Sequence, residues 1–397
     1  MPKDDLNYKF TENGIVYDFY DVFVPAENFR QPSLFMWGWN GYGRLGTNNT
    51  TQRNTPVTTF SGGTTWKQIA CGLQHTAAIK TDGTLWTWGR NDFAQLGDFS
   101  TTSRSTPVTT FAGGNNWKQV DCGRQLTAAI KTDGSLWIWG RGGQGQLGNN
   151  NTSDRNTPVT TFAGGNTWKQ VTCGEYHAAA VKTDGSLWIW GSNSGVGQLG
   201  NNSNSNSNTP ITTFAGGNNW KSVSIGNQHN IAIKTDGTLW TWGRNTNAQL
   251  GINVGGETRS TPVTTFAGGN NWKSVSGGYT TSAAIKTDGS LWVWGLNGSG
   301  QLGTFDTTTR STPVTTFAGG NNWKQVSPSI SGAYNHMTAI KTDGTLWTWG
   351  VNNQGQLGDN TTTNRNTPVT TSAGGNNWKQ VSSGEEFSGA IKYQPDP

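Results

Sequence analysis

The sequence is short of the residues that most chemistry uses. Its 397 residues include only 3 cysteines and 4 histidines, and charged residues make up 13% of the chain. Cys71, Cys122 and Cys173 recur at one position of a repeat, where other copies carry Ile225, Gly277 or Ser383. A disulfide framework or a zinc site needs thiols that meet, and this spacing puts each in a different unit, so no metal and no cofactor is expected. No run of 18 apolar residues occurs, which excludes a membrane-spanning helix. The start MPKDDLNYKFTENG lacks the basic-then-apolar order of a signal peptide, so a chain made in the cytoplasm is expected. No P-loop, dinucleotide fingerprint or Ser-His-Asp order is present.

What the chain has instead is 56 glycines and 21 tryptophans. Glycine marks turns and tryptophan marks burial, a composition that points to short strands. The second tryptophan of a WxWG motif falls at 37, 88, 139, 190, 242, 294 and 349, which defines seven units. From Trp66 one unit reads WKQIACG, HTAAIK, TDG, TLWTWG, a loop ending AQLG, and TPVTTF: four β-type runs separated by turn residues. Asp82-Gly83 is the expected two-residue hairpin turn, with both central residues at positive φ. Alternation puts Trp86 and Trp88 on one face of a strand and Leu85 and Thr87 on the other, so both faces are packed. The first copy starts at Leu34 without its two leading runs, and the last stops at Lys392 without its WxWG. The two ends complete one another, which predicts an all-β seven-bladed β-propeller over 34–397, closed by N-terminal strands, with a separate arm at 1–33.

The run HTAAIKTDGTLWTWGRNDFAQLG followed by TPV resembles the repeat of the regulator of chromosome condensation family, over about 34–392. The resemblance implies a seven-bladed propeller. It also brings a nucleotide-exchange member that acts on a small GTPase through a wedge inserted in one blade, and bacterial members that inhibit β-lactamase. The longest interruption here, about Pro328 to Ser331, is no comparable wedge.

The formal charge is +5, but 1–33 holds six acids against three bases and is itself −3. Fourteen lysines elsewhere sit at two repeat positions, Lys67 to Lys379 and Lys80 to Lys392. One charge per repeat reads as a solvated surface, so no nucleic-acid partner is expected. His75, His177, His229 and His336 share a position with Leu126, Thr281 and Phe387, which argues for structure and against catalysis. The TDG aspartates read as turn residues, and the pair Glu385-Glu386 has no carboxylate placed opposite it, so no catalytic residue and no enzyme activity is expected. Arginines three residues before six of the seven repeat prolines (Arg53, Arg104, Arg155, Arg259, Arg310, Arg365), with Ser207 breaking the series, are expected to fasten their own loops to backbone carbonyls.

In a four-stranded meander, the TDG turns and the FAGGNNW connections share one end and hardly vary, whereas the other two connections share the opposite end and vary freely. That variable end carries the candidate partner-binding residues Trp39, Tyr42, Arg90, Phe93, Arg124, Arg141, Glu175, Tyr176, Arg244, Tyr279, Tyr334, Glu385 and Glu386. The expectation rests on large aromatics left wet in loops. The arm adds Tyr17, Phe19, Tyr20, Phe23 and Phe29 in an acidic context, as a candidate anchor. An aromatic arm before a polar repetitive module is similar in style to phage virion appendages. The expected function is therefore an interaction propeller of a virion, facing other protein subunits or a host-surface glycan or protein. A secreted inhibitor or lectin-like binder is the alternative, a guanine-nucleotide exchange factor the third reading.

Overall fold

The computed structural model describes residues 32–60, 65–330, 332 and 335–393, and the backbone of 9–12 and 15–18. Seven antiparallel four-stranded sheets stand around one axis, each first strand beside the next and the last beside the first. Blade II shows the pattern: Trp66–Cys71 innermost, then His75–Lys80, Leu85–Gly89 and Arg104–Thr109 outermost. Blades III to VII repeat it over 117–160, 168–212, 220–264, 272–315 and 323–370. Blade I joins both chain ends, with Trp378–Ser383 and Phe387–Tyr393 as the inner pair and Pro32–Gly38 and Arg53–Thr58 as the outer pair. The closing strand begins at Pro32, opposite Tyr393. In the arm, 9–12 pairs antiparallel with 15–18. Phe19, Tyr20, Phe23 and Phe29 lie outside the described residues, as does the side chain of Tyr17.

The hairpin between second and third strands differs from the expected two-residue turn. Gly83 N–H donates to Lys80 O at 3.0 Å, and Lys80 N–H donates to Thr84 O at 3.0 Å, so the loop holds three residues. Only Gly83 is left-handed, at φ 83°. The Asp82 carboxylate accepts both the N–H and the hydroxyl of Thr84 (2.9 and 2.7 Å), which keeps Asp82 at negative φ and holds its carboxyl below the usual range. A Cβ on Gly83 would also lie 2.0 Å from Asn115 O in the neighbouring connection.

Blades are laced by tryptophan. The indole N–H of Trp139 donates to Gln95 O in the preceding blade at 3.0 Å, and the same bond recurs at every junction, closing the ring as Trp37 to Gln356 O at 2.9 Å. This explains the QLG motif: the Gln carbonyl accepts, the Leu fills the core, and the Gly clears the ring, since a Cβ on Gly97 would meet Trp139 Nε1 at 2.6 Å. Burying one such indole contributes about 4–6 kcal/mol before entropy. The other tryptophan of the motif is only half-buried. The ammonium of Lys80 lies 4.5 Å from the Trp86 centroid and 5.0 Å from that of Trp66. Lysines of this series thus stay partly exposed while each also rests on an indole pair.

Inner strands of neighbouring blades do not pair, and glutamine bridges them. Gln68 donates to Val120 O (3.0 Å) and accepts Val120 N–H (3.1 Å), imitating a strand backbone. Ser222 and Ser274 occupy this position in two blades. The three cysteines are free and buried at the ends of inner strands, and burial pushes the Cys71 thiol up to about 12.

Each histidine is buried and bonded to the next blade: His75 to Thr127 at 2.8 Å, His177 to Asn230 at 3.1 Å, His229 to Ser282 at 2.9 Å and His336 to Ser388 at 2.8 Å. Where the position is Leu126, the facing residue is Ala178, and the two share one apolar cluster. Burial lowers His75 to about 3, with Arg44 contributing, and lowers His177 to about 4. A neutral buried histidine that protonates when unfolded stabilises the fold above pH about 6.5 and less so as pH falls. The pair His75→Leu/Thr127→Ala, which copies Leu126/Ala178, is expected to fold and to flatten the pH 6 to 4 limb of unfolding free energy by about 1.4 kcal/mol per pH unit relative to the parent in denaturant titrations.

Candidate functional site: the variable loop face

The loops after the inner strands vary in side chain, but their backbones form one frame. Leu73 N–H donates to Gly123 O (3.2 Å), Arg124 to Gly174 O (3.1 Å), Asn227 to Gly278 O (3.2 Å), Tyr279 to Ser329 O (2.9 Å) and Glu385 to Leu73 O (3.3 Å). At five of the seven junctions, then, one loop hangs on the next. The loops after WG are held by a buried asparagine: Asn91 Oδ1 accepts Leu96 N–H at 2.9 Å while its amide donates to Ser100 O at 3.0 Å. Asn40, Asn193, Asn245, Asn297 and Asn352 bond their own loops in the same way.

On this frame the structure gathers the candidate residues into two clusters. Around the seam of blades I and II, Arg90 donates to Gln74 and pairs with Asp92 at 2.7 Å, Gln74 donates to Glu385 at 2.7 Å, and the Arg90 guanidinium lies 4.9 Å from the Tyr42 ring. Across blades II to IV, Arg141 lies 4.9 Å from the Phe93 ring and 5.7 Å from that of Tyr176, Arg124 lies 5.6 Å from Tyr176, and Arg124 pairs with Glu175. Arg244 stands apart, bonded to Gln228 at 2.9 Å and Thr246 at 2.8 Å. Tyr279 shares with Arg124, Glu175 and Asn227 a depression of about 20 Å³, room for one water. Tyr334 lies outside the described residues.

The expectation of wet aromatics fails. Trp39, Tyr42, Phe93, Tyr176 and Tyr279 are half-buried, and arginines from the same or an adjacent blade cover the faces of the first four. Glu175 and Glu386 are buried, at 8% and 5% exposure. Four of the six arginines before the prolines also differ from expectation: Arg104, Arg259, Arg310 and Arg365 fasten their loops to carboxylates, Asp98, Glu257, Asp306 and Asp359.

Sequence reasoning missed two features. Arg44 stands where six other blades have the Gln of QLG, and that substitution was the available signal. Its side chain is fully buried against Trp39 (4.1 Å to the centroid) and Phe387 (5.5 Å), its Nη1 lies 3.6 Å from Glu385 Oε2, and its three guanidinium nitrogens have no hydrogen-bond partner. Burial lowers Arg44 to about 10, while Glu385 and Glu386 hold it up. Burial, and then the charge of Glu385, raises Glu386 to about 7, with Arg44 acting the other way. The second feature is the last Phe of TPVTTF. Phe60, Phe111, Phe162, Phe214, Phe266 and Phe317 are 61–67% exposed, with Ser372 in the seventh place. Phe99 and Phe305 join two of them in stacked pairs at 5.1 and 5.0 Å, from left-handed positions where Asn48, Asn150, Asn202, Asn253 and Asn360 stand in the other blades.

The model of the RCC1-like domain matches residues 155–395, more than half the chain, and that of the regulator of chromosome condensation repeat matches 33–79 and 82–130. The chain belongs to the RCC1 repeat family. This RCC1-like propeller is 34% identical over 285 residues to the ultraviolet-B receptor UVR8 of Arabidopsis thaliana, covering 70% of this chain and 64% of that receptor. It is 30% identical over 303 residues to the mitochondrial RCC1 domain-containing protein RUG3 of the same plant, covering 73% and 66%. The match thus spans just under two thirds of either relative. Human WBSCR16 superimposes with a TM-score of 0.79 at 21% identity, over 91% of this chain and 99% of that one. Yeast RCC1 (Prp20), solved bound to Kap60, gives 0.79 at 20% identity, over 93% and 92%. These two likenesses establish the shared fold.

The raised Glu386 has a measurable sign. Folded protein takes up its proton between pH about 4.5 and 7, so the wild-type propeller loses stability as pH rises through that window. Glu386→Gln is expected to stabilise the fold by about 1–3 kcal/mol at pH 8 and by nothing at pH 4, measured by chemical denaturation.

Proposed function

We propose that this RCC1-like propeller is a non-enzymatic interaction module whose variable loop face binds another protein. One observation carries the reading: side chains that differ from blade to blade collect at one end, on a backbone frame whose loop-to-loop bond recurs at five of the seven junctions. The exposed edges there are those of arginine-covered aromatics, Tyr42, Phe93 and Tyr176, the residue types of protein-binding hot spots. Aromatics lying under guanidinium groups are not the open platforms on which a sugar ring stacks, which favours a protein partner over a glycan. Relatives support the class of partner, since yeast RCC1 is solved with Kap60 and Prp20p has binding properties toward Gsp1p and histones. An exchange activity like that of the family's GTPase-directed member has no wedge to carry it in this sequence. The virion setting draws support from the arm and the polar repeats alone, and the relatives named above do not bear on it; sedimentation of the protein with particles tests it.

The partner-binding reading is tested by quantitative capture from extracts of the source cells. Tyr176→Ala/Tyr279→Ala is expected to lose the partner at least about tenfold. Phe214→Ser, which copies Ser372 on the rim, is expected to retain it. Equal capture by the loop variant and loss by the rim variant would move the site off this face. Acceleration of nucleotide release from any GTPase of a panel would overturn the non-enzymatic assignment.

A further inference from the structure

The opposite end of the axis carries a second built feature. In all seven blades the inner strand has a β-bulge between its Trp and its Gln or Ser: Trp66 pairs with Lys80 and Gln68 with Ile79, so Lys67 is the extra residue. A bulge takes a residue out of the ladder and re-aims it. The seven residues so placed are all lysine, all exposed, and among the described residues none enters a salt bridge. One lysine per repeat looks dispersed along the chain, but inner strands converge on the axis. Lys67, Lys118 and Lys379, from three successive blades, line one cavity of about 470 Å³, and Lys324 borders the axial cavity of about 330 Å³ beside it. Four of the seven ammonium groups thus border this end of the axis and focus positive potential there.

Pro32 and Tyr393 line the same cavity as the three lysines. Pro32 is where the arm enters the propeller, and the arm is the one markedly acidic part of the chain, six acids against three bases. Glu27 lies five residues before Pro32 and Asp21 eleven, reaches of at most about 18 and 40 Å. We propose that the lysine ring is the docking site of this chain's own acidic arm, residues 1–31. Lysine at every position, with no arginine, suits this occupant: ammonium groups act as mobile point charges toward scattered carboxylates and do not fork onto one phosphate. The docked arm covers the invariant face and leaves the variable face free, so this inference stands apart from the partner assigned to the loops.

Carbodiimide cross-linking of the full chain, read by mass spectrometry, tests it. The expected result is amide bonds from Lys67, Lys118 or Lys379 to Asp18, Asp21 or Glu27 within one copy. Their yield should fall at least about fivefold from about 20 mM to about 500 mM salt, and links from Lys67 should fall likewise in the charge-reversed variant K118E/K379E, which leaves the Lys67 amine in place. A second variant leaves the propeller untouched: in D21N/E27Q, trypsin is expected to cut after Lys9 and Arg30 at least about fivefold faster than in the parent at low salt. Absence of these cross-links at low salt, links joining two copies, links from Lys67 undiminished in K118E/K379E, or equal cleavage of parent and D21N/E27Q would overturn the proposal.

Discussion

The structure depends on one contact made at every junction: a buried tryptophan gives its indole N–H to a backbone carbonyl of the preceding blade. An indole buried without a partner would cost much of what its burial contributes, so the acceptor has to be placed as accurately as the ring. The Gln, Leu and Gly of QLG do that placing, and the lacing of Gln68 to Val120 holds the inner strands at the matching spacing. A ring leaves no slack in such an arrangement. The first and last junctions must meet, and the chain solves this by letting its two ends share blade I.

Because the lacing uses invariant residues, anything free to differ is pushed to the ends. One end became the loop frame, with its arginine-covered aromatics. The other kept seven bulged lysines. Arg44 shows the cost of departing from the pattern: a guanidinium in place of the repeat's glutamine still supplies the carbonyl for Trp88, at 2.9 Å, but it buries a charge that Glu385, Glu386 and two aromatic rings must hold.

Fold and closure were legible because they are periodic. Strand runs, turn residues and the complementary gaps at the two ends are visible at the level of single residue types. The faces were legible too, since the meander assigns each connection to an end. Exposure was not. Whether Tyr42 is wet depends on Arg90 from the next blade, and no spacing along the chain reports that. The hairpin at Asp82-Gly83 was misread because Asp-Gly specifies two turns, and the Thr84 hydroxyl on the Asp82 carboxylate selects the three-residue one. The two lysine series look alike in sequence, yet one rests on an indole pair and the other is thrown out by a bulge. Periodicity reports what repeats; it is silent on which neighbour lies across a junction.

The central claim is that the seam is a junction like the other six. Hydrogen exchange of the indole N–H groups, resolved residue by residue under native conditions, measures it directly. Protection of Trp37 within about tenfold of that of Trp139 and Trp190 is the predicted result, as expected if the ring opens only globally. Exchange at Trp37 faster by about a hundredfold or more, with the other six unchanged, would show that blade I parts by itself and would contradict the account.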